Sequence, residues 1–170
     1  PVYDKTGLRL ITAAHRRPPA DVLDQKIHSA NQLTSILAKL EANAAGADDA
    51  LMLDTRGFVA ETNATHIFLV EGGVVSTPTT AACPEGITRA TVLDLCRGHD
   101  LPHAVRDITM AEVYRAEELF CTGTMGELAP ILELDGRTVG TGRIGPLTQR
   151  LSELYVELTR REGVSVCDAR

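Results

Sequence analysis

Two periods of apolar spacing alternate along the chain. Residues 8–13 alternate as a strand does, and a basic, proline-bearing stretch over residues 15–20 follows as a loop. Over residues 29–45, Leu33, Ile36, Leu37, Leu40 and Ala44 recur at helical spacing, and Gly46 stops the helix as a C-cap glycine. Short apolar runs then predict strands at 50–53, 58–61, 66–70 and 74–76, punctuated by turns at 54–57 and 71–73. These four strands read as an antiparallel meander, with Gly73 supplying a positive φ.

The second half mixes the periods. Val92, Leu93, Leu95 and Cys96 predict a helix over 88–98, and a strand follows over 103–108. Thr109 can cap a short helix running to Arg115. Strands at 119–121 and 129–134 come next, the latter closed by an Asp135-Gly136 turn. The last helix, 146–161, places Leu147, Leu151, Leu154 and Leu158 on one face and ends at Gly163. With no repeats and no low-complexity linker, residues 1–170 read as one α+β domain. The opening segment, Val2-Tyr3 and then the 8–13 strand, resembles the middle of a domain. That strand is expected to find too few partners in this chain, as in a fragment or a processed product.

Composition narrows the classes. A length of 170 residues suffices for a sizeable core, and the net charge of −6 excludes sequence-independent nucleic-acid binding. No apolar run approaches a membrane span and no signal segment opens the chain, so cytoplasmic residence is the expectation. The four cysteines (Cys83, Cys96, Cys121, Cys167) show no CxxC or CxxH spacing; they read as reduced, buried thiols and as no metal site.

Against this background Lys26 stands out, because only three lysines accompany fourteen arginines. Val22, Leu23 and Ile27 flank it, so it could point inward, as a nucleophilic lysine must to lose its proton. Lys39, in mid-helix, and Lys5, in the entry segment, read as solvated. Glu61 closes an apolar strand where a carboxylate can face a cavity and hold a proton on a pyridine nitrogen; its plainer reading is an exposed strand end. Gly86-Ile87-Thr88 opens the 88–98 helix, whose free amides form an anion site; an ordinary N-cap threonine would look the same. Thr122-Gly123-Thr124 offers a second cluster of amides and hydroxyls. Two such clusters suit a phosphate and a carboxylate. The basic run His15-Arg16-Arg17 reads as a solvated loop.

The order of these pieces resembles the C-terminal, cofactor-binding part of the fold-type IV pyridoxal-phosphate enzymes. That superfamily includes branched-chain and D-amino-acid aminotransferases and aminodeoxychorismate lyase. The resemblance rests on Gly57-Phe58-Val59-Ala60-Glu61-Thr62-Asn63-Ala64-Thr65-His66, Gly86-Ile87-Thr88-Arg89, Gly123-Thr124-Met125-Gly126-Glu127 and Gly142-Arg143-Ile144-Gly145-Pro146, and covers residues 24–161. It implies a mixed β pseudo-barrel with flanking helices and pyridoxal 5′-phosphate as cofactor. It further implies that Lys26 takes the cofactor's aldehyde and moves the α-proton, and that Glu61 pairs with the pyridine nitrogen. Gly86, Ile87, Thr88 and Thr124 would hold the phosphate, and the Thr124 and Met125 amides would face the substrate carboxylate. The reaction would be transamination between an amino acid and a 2-oxo acid, in a homodimer.

Two departures qualify the likeness. Branched-chain members carry a tyrosine shortly after the lysine, contacting the cofactor's O3′; here the stretch is Ser29-Ala30-Asn31-Gln32-Leu33, where Asn31 or Gln32 would substitute. Residues 1–22 read as an interdomain connection and first strand, and the smaller N-terminal domain of the family has no counterpart. The likeness is greatest to branched-chain aminotransferases, and the rivals at this point are an aminodeoxychorismate lyase or D-amino-acid aminotransferase of the same fold, a catalytically silent cofactor-binding or association domain, and an unrelated α+β domain. The run through Glu127 and the Glu-Thr-Asn-Ala-Thr stretch favour the transaminase.

Overall fold

Four consecutive apolar residues, Ile67-Phe68-Leu69-Val70, are all buried, which requires a strand covered on both faces. In the computed structural model, which describes residues 6–162, that strand is β4 (His66–Glu71). The Val2-Tyr3 segment, Lys5, Gly163 and Cys167 lie outside the described residues. The other strands are β1 (Leu8–Arg16), β2 (Asp49–Leu53), β3 (Val59–Thr62), β5 (Val74–Thr77), β6 (His103–Val105), β7 (Glu118–Gly123), β8 (Glu127–Leu134) and β9 (Arg137–Thr138). They form one mixed sheet in the order β3-β2-β1-β8-β7-β4-β5-β6, with β9 paired to β8. Helices α1 (Ala20–Leu23), α2 (Leu33–Ala44), α3 (Ile87–Gly98), α4 (Met110–Arg115) and α5 (Pro146–Arg161) flank it, and a 3-10 turn spans Gln25–Ile27.

The sheet curls into a half-barrel, and its two faces have separate cores. Period-2 alternation sends Ile67, Leu69, Leu119, Cys121 and Ile131 into the curl, and Phe68, Val70, Phe120 and Leu128 outward against α3 and α5. Phe68 and Phe120 stack there with centroids 4.9 Å apart. The predicted face of α5 is confirmed: Leu151 is fully buried, and Leu147, Leu154 and Leu158 pack beside it. Its first amides are capped from outside the helix, since Glu118 accepts from Leu147 N at 3.1 Å and from Thr148 N at 2.8 Å.

Several expectations need correction. β1 has two parallel partners, β2 and β8, so the chain supplies both neighbours of its first strand. The meander is broken: β2 pairs with β3 and β4 with β5, but β4 pairs on its other side with β7, leaving β3 at the far edge. A short link still joins β3 to β4, and the curl brings them together where Thr62 N donates to Thr65 O at 2.8 Å. The strand predicted over 103–108 stops at Val105, after which Ile108 drops into the inner core. The Asp135-Gly136 turn, with φ of 52° and 72°, does more than close β8, because it folds β9 back as a hairpin.

Helix α2 starts at Leu33, later than its pattern implies, and turns its other face inward. Ser35, Ala38 and Ala42 are buried, the two alanines packing on Ala13, Ala50 and Met52. Leu33, Ile36 and Leu40 remain 59%, 54% and 55% exposed. Small side chains let a helix lie close to the sheet, and close packing of the backbone decides the orientation here. Lys39 is not simply solvated, for its Nζ bonds Asp48 O and reaches Asp49 Oδ1 at 2.9 Å.

Candidate functional site

Where β3, β4 and β7 run past the N-terminus of α3, a cavity of about 420 Å³ opens. Glu61, His66, Gly86, Ile87, Thr88 and Thr124 line it, with Thr122, Gly123, His28, Ala64 and Pro84. Four separated stretches of sequence thus meet in one concavity. A second hollow of about 370 Å³ adjoins it through His28, Glu61, Ala64 and Pro84 and extends towards Arg17, Gln25 and Gln32.

Glu61 is the buried charge at one end. Its side chain is 5% exposed, and Arg17 Nη2 lies 3.0 Å from Oε1. The guanidinium divides its attention, because Nη2 also donates to Thr62 O at 2.8 Å and Nη1 to Ser35 Oγ at 2.9 Å. Burial therefore outweighs the attraction of Arg17 and pushes the Glu61 carboxyl up to about 7. A carboxyl in that range can hold or release a proton near neutrality.

At the other end lies the N-terminus of α3, whose amides can take an anion. Gly86, at φ 73°, precedes α3 as its N-cap and supplies no side-chain cap. The amides of the first turn are left without an intrahelical partner and carry the positive end of the helix dipole. Thr88 lies inside this turn and is buried, so it is not the N-cap that a bland reading makes it. Across the cavity, the buried Thr122 Oγ1 has no hydrogen-bond partner. A buried hydroxyl in that state costs about 1–3 kcal/mol until an acceptor or donor arrives.

The structure brings together Glu61, Gly86, Ile87, Thr88 and Thr124. Met125 sits beyond the lining and is 71% exposed. Lys26 is also exposed, on the 3-10 turn, and contradicts the inward orientation expected of it. A free ammonium stays in water unless a counter-charge compensates its burial. Asp24 caps the turn by accepting from Lys26 N at 3.0 Å, and His28, left-handed at φ 52°, lines the cavity instead. Lys26 remains close enough for its charge to act on the Cys83 thiol beside Glu61.

Sequence reasoning missed Arg17 and His66 and assigned Thr122 no part of its own. Arg17 is 3% exposed, not part of a solvated loop. The signal was available, because the alternation through Ala13 and His15 continues to Arg17 when the expected 8–13 strand is carried four residues further. Glu61, His66 and Cys83 also offer ligand atoms within 4.8 Å of one another. Arg17 already occupies Glu61, however, and burial pushes the Cys83 thiol up to about 12, which keeps it protonated and a poor metal ligand. Cys83, Cys96 and Cys121 are free and buried, as expected. Among the described residues no helix is long and apolar enough to cross a membrane.

Comparison with known proteins bears on the family of the chain. The family model for class IV amino-transferases matches residues 1–134. The branched-chain-amino-acid aminotransferase-like protein 2 of Arabidopsis thaliana is 48% identical over 98% of this chain and 30% of its own length. The branched-chain-amino-acid aminotransferase of Pseudomonas aeruginosa is 41% identical over 89% of this chain and 50% of its own. Among solved structures, the branched-chain amino acid aminotransferase from Thermobaculum terrenum, in its PLP-form, superposes with a TM-score of 0.89 at 34% identity. It matches 94% of this chain and 53% of that one. The chain spans 30% and 50% of the length of the two curated relatives named. On the match of its own residues, the chain belongs to the class IV amino-transferase family.

Proposed function

We propose that the chain is the cofactor-binding part of an aminotransferase that uses pyridoxal 5′-phosphate to move an amino group from a branched-chain amino acid to a 2-oxo acid. One observation carries this reading: a single cavity has the buried Glu61 carboxyl at one end and the uncapped amides of α3 at the other. A pyridine nitrogen fits the first and a phosphate the second. The unpartnered Thr122 hydroxyl and the glycine at position 86 agree with a ligand that bears acceptors.

When bound, the cofactor supplies an electron sink for the pair left as the α-proton departs. Glu61 would hold the proton at the ring nitrogen, with Arg17 fixing its Oε1. Gly86, Ile87 and Thr88 would bind the phosphate through the first turn of α3, joined by Thr124. Lys26 would hold the cofactor through Nζ and carry the α-proton. The backbone amides of Thr124 and Met125 would orient the substrate carboxylate. Gln32, which lines the second hollow, rather than Asn31, would stand nearest the place of the family's tyrosine. A second subunit and a further domain would complete the substrate pocket, and the exposed Leu33, Ile36 and Leu40 on α2 support such cover.

The test is trapping. Incubation with pyridoxal 5′-phosphate is expected to give an absorbance band near the visible edge that borohydride bleaches, with the label on Lys26. A label on another residue, or none, defeats the assignment.

A further inference from the structure

We propose that His66 is a positioning residue for the anion end of the cavity, its imidazole fixing the turn that aims the first amides of α3. This rests on the cofactor reading above and assigns a role to a residue which that reading does not use.

The ring sits between the two ends of the site. Its Nε2 is 2.8 Å from Pro84 O, two residues before the N-cap of α3. The same nitrogen lies 3.9 Å from Glu61 Oε2, too far for a hydrogen bond. A carbonyl only accepts, so Nε2 carries a proton; burial lowers the basicity of the ring, and in its neutral form Nδ1 is a bare lone pair. The ring also forms the floor beneath Gly86. A Cβ at that position would stand 2.3 Å from His66 Cε1 and 2.7 Å from Nδ1. Glycine is therefore required there twice over, for its φ of 73° and for the closeness of the imidazole.

A side chain that only filled space would not need this bond. His66 instead joins β4, an interior strand paired on both sides, to a turn that has no side-chain cap of its own. Its partner across the β4–β7 ladder is Thr122, whose buried, unpartnered hydroxyl belongs to a residue lining the same cavity. The helix terminus, the floor that holds it and a waiting hydroxyl thus converge. Binding through backbone amides is sensitive to displacements well under 1 Å, about the scale on which loss of a tether acts.

The experiment compares pyridoxal 5′-phosphate, pyridoxal and inorganic phosphate (as competitor) on the chain and on its His66→Ala, His66→Phe and His66→Gln forms. Glutamine can return an N–H to Pro84 O, while phenylalanine fills the space without one. Affinity for pyridoxal 5′-phosphate is expected to fall about tenfold or more in H66A and H66F and to recover to within about threefold in H66Q. Competition by phosphate should weaken in parallel, and pyridoxal affinity should change by less than about threefold throughout. If H66A fails to fold, the contrast of H66F with H66Q decides. Equal losses for pyridoxal 5′-phosphate and pyridoxal overturn the proposal, as does unchanged affinity in H66F or no recovery in H66Q. Absence of binding to the unmodified chain is a distinct result, which overturns the cofactor reading and this inference with it.

Discussion

Arg17 and Glu61 face each other at 3.0 Å with 3% and 5% of their side chains exposed, one from the end of β1 and the other from β3. Both line the second hollow, and their pairing spans a sequence gap that no local motif bridges. A buried pair of this kind is costly to break from one side, because the survivor is left charged and uncompensated.

Arg17→Met should therefore destabilise the chain by about 1–3 kcal/mol near pH 8, because Glu61 must then take up a proton or stay buried without its partner. The double form Arg17→Met with Glu61→Gln should recover a large part of that loss. Denaturant titrations of the four proteins in the cycle measure it; additive losses would mean that the pair is not coupled.

The protonation of Glu61 gives a second prediction. Its carboxyl titrates at about 7 in the fold against 4.5 for the ordinary group, so the folded state holds the proton more tightly. The associated stability is full below pH 4.5, declines as pH rises, and is gone above about 7. His66, whose basicity burial lowers, works in the opposite direction, since its folded form resists the proton. The clean observable is thus the difference between the cofactor-free chain and its Glu61→Gln form. That difference should shift by about 3 kcal/mol in favour of E61Q between pH 4.5 and 8. A difference that stays constant would place the titration elsewhere.

Gly86→Ala should be harmful beyond its backbone strain. The left-handed φ alone costs about 1–3 kcal/mol, and the added Cβ must displace His66 as well. Thermal melting should show the loss, and the protection given by added phosphate should disappear. A normal melt with intact phosphate protection would show that the turn tolerates another conformation.

The two faces of α2 make opposite predictions from similar chemistry. Ala38→Leu, on the fully buried face, should overpack the contact with Met52 and Ala50 and cost about 1–3 kcal/mol. Leu40→Gln, on the exposed face, should alter the stability of the isolated chain by less than about 0.5 kcal/mol. Equilibrium unfolding of both compares them directly, and the reverse ranking would mean the helix is rotated.

Much of the architecture was legible because apolar runs and turn residues agreed. The run ending at Val70 marked a strand, Thr109 caps α4 as expected, and Asp135-Gly136 marked a reversal. The orientation of α2 was not legible. Leucines and alanines form two apolar stripes on that helix, and hydrophobicity favours the larger one unless the closeness of the sheet is known. Of the site, Glu61 and the 86–88 turn were readable as a carboxylate and a helix start. Arg17 was hidden by its company, since two basic residues and two prolines suggest solvent. The exposed position of Lys26 follows from its charge, which local spacing does not report.

The sheet places β3 and β4 five positions apart, yet Thr62 and Thr65 clasp across the link between them. Glu61 precedes that clasp by one residue and His66 follows it by one. Flattening the sheet would draw the carboxyl away from the α3 terminus, and tightening it would press them together. The cavity is therefore a gauge of curvature: whatever grips both of its ends must stiffen a nine-stranded sheet, and whatever bends the sheet retunes the grip.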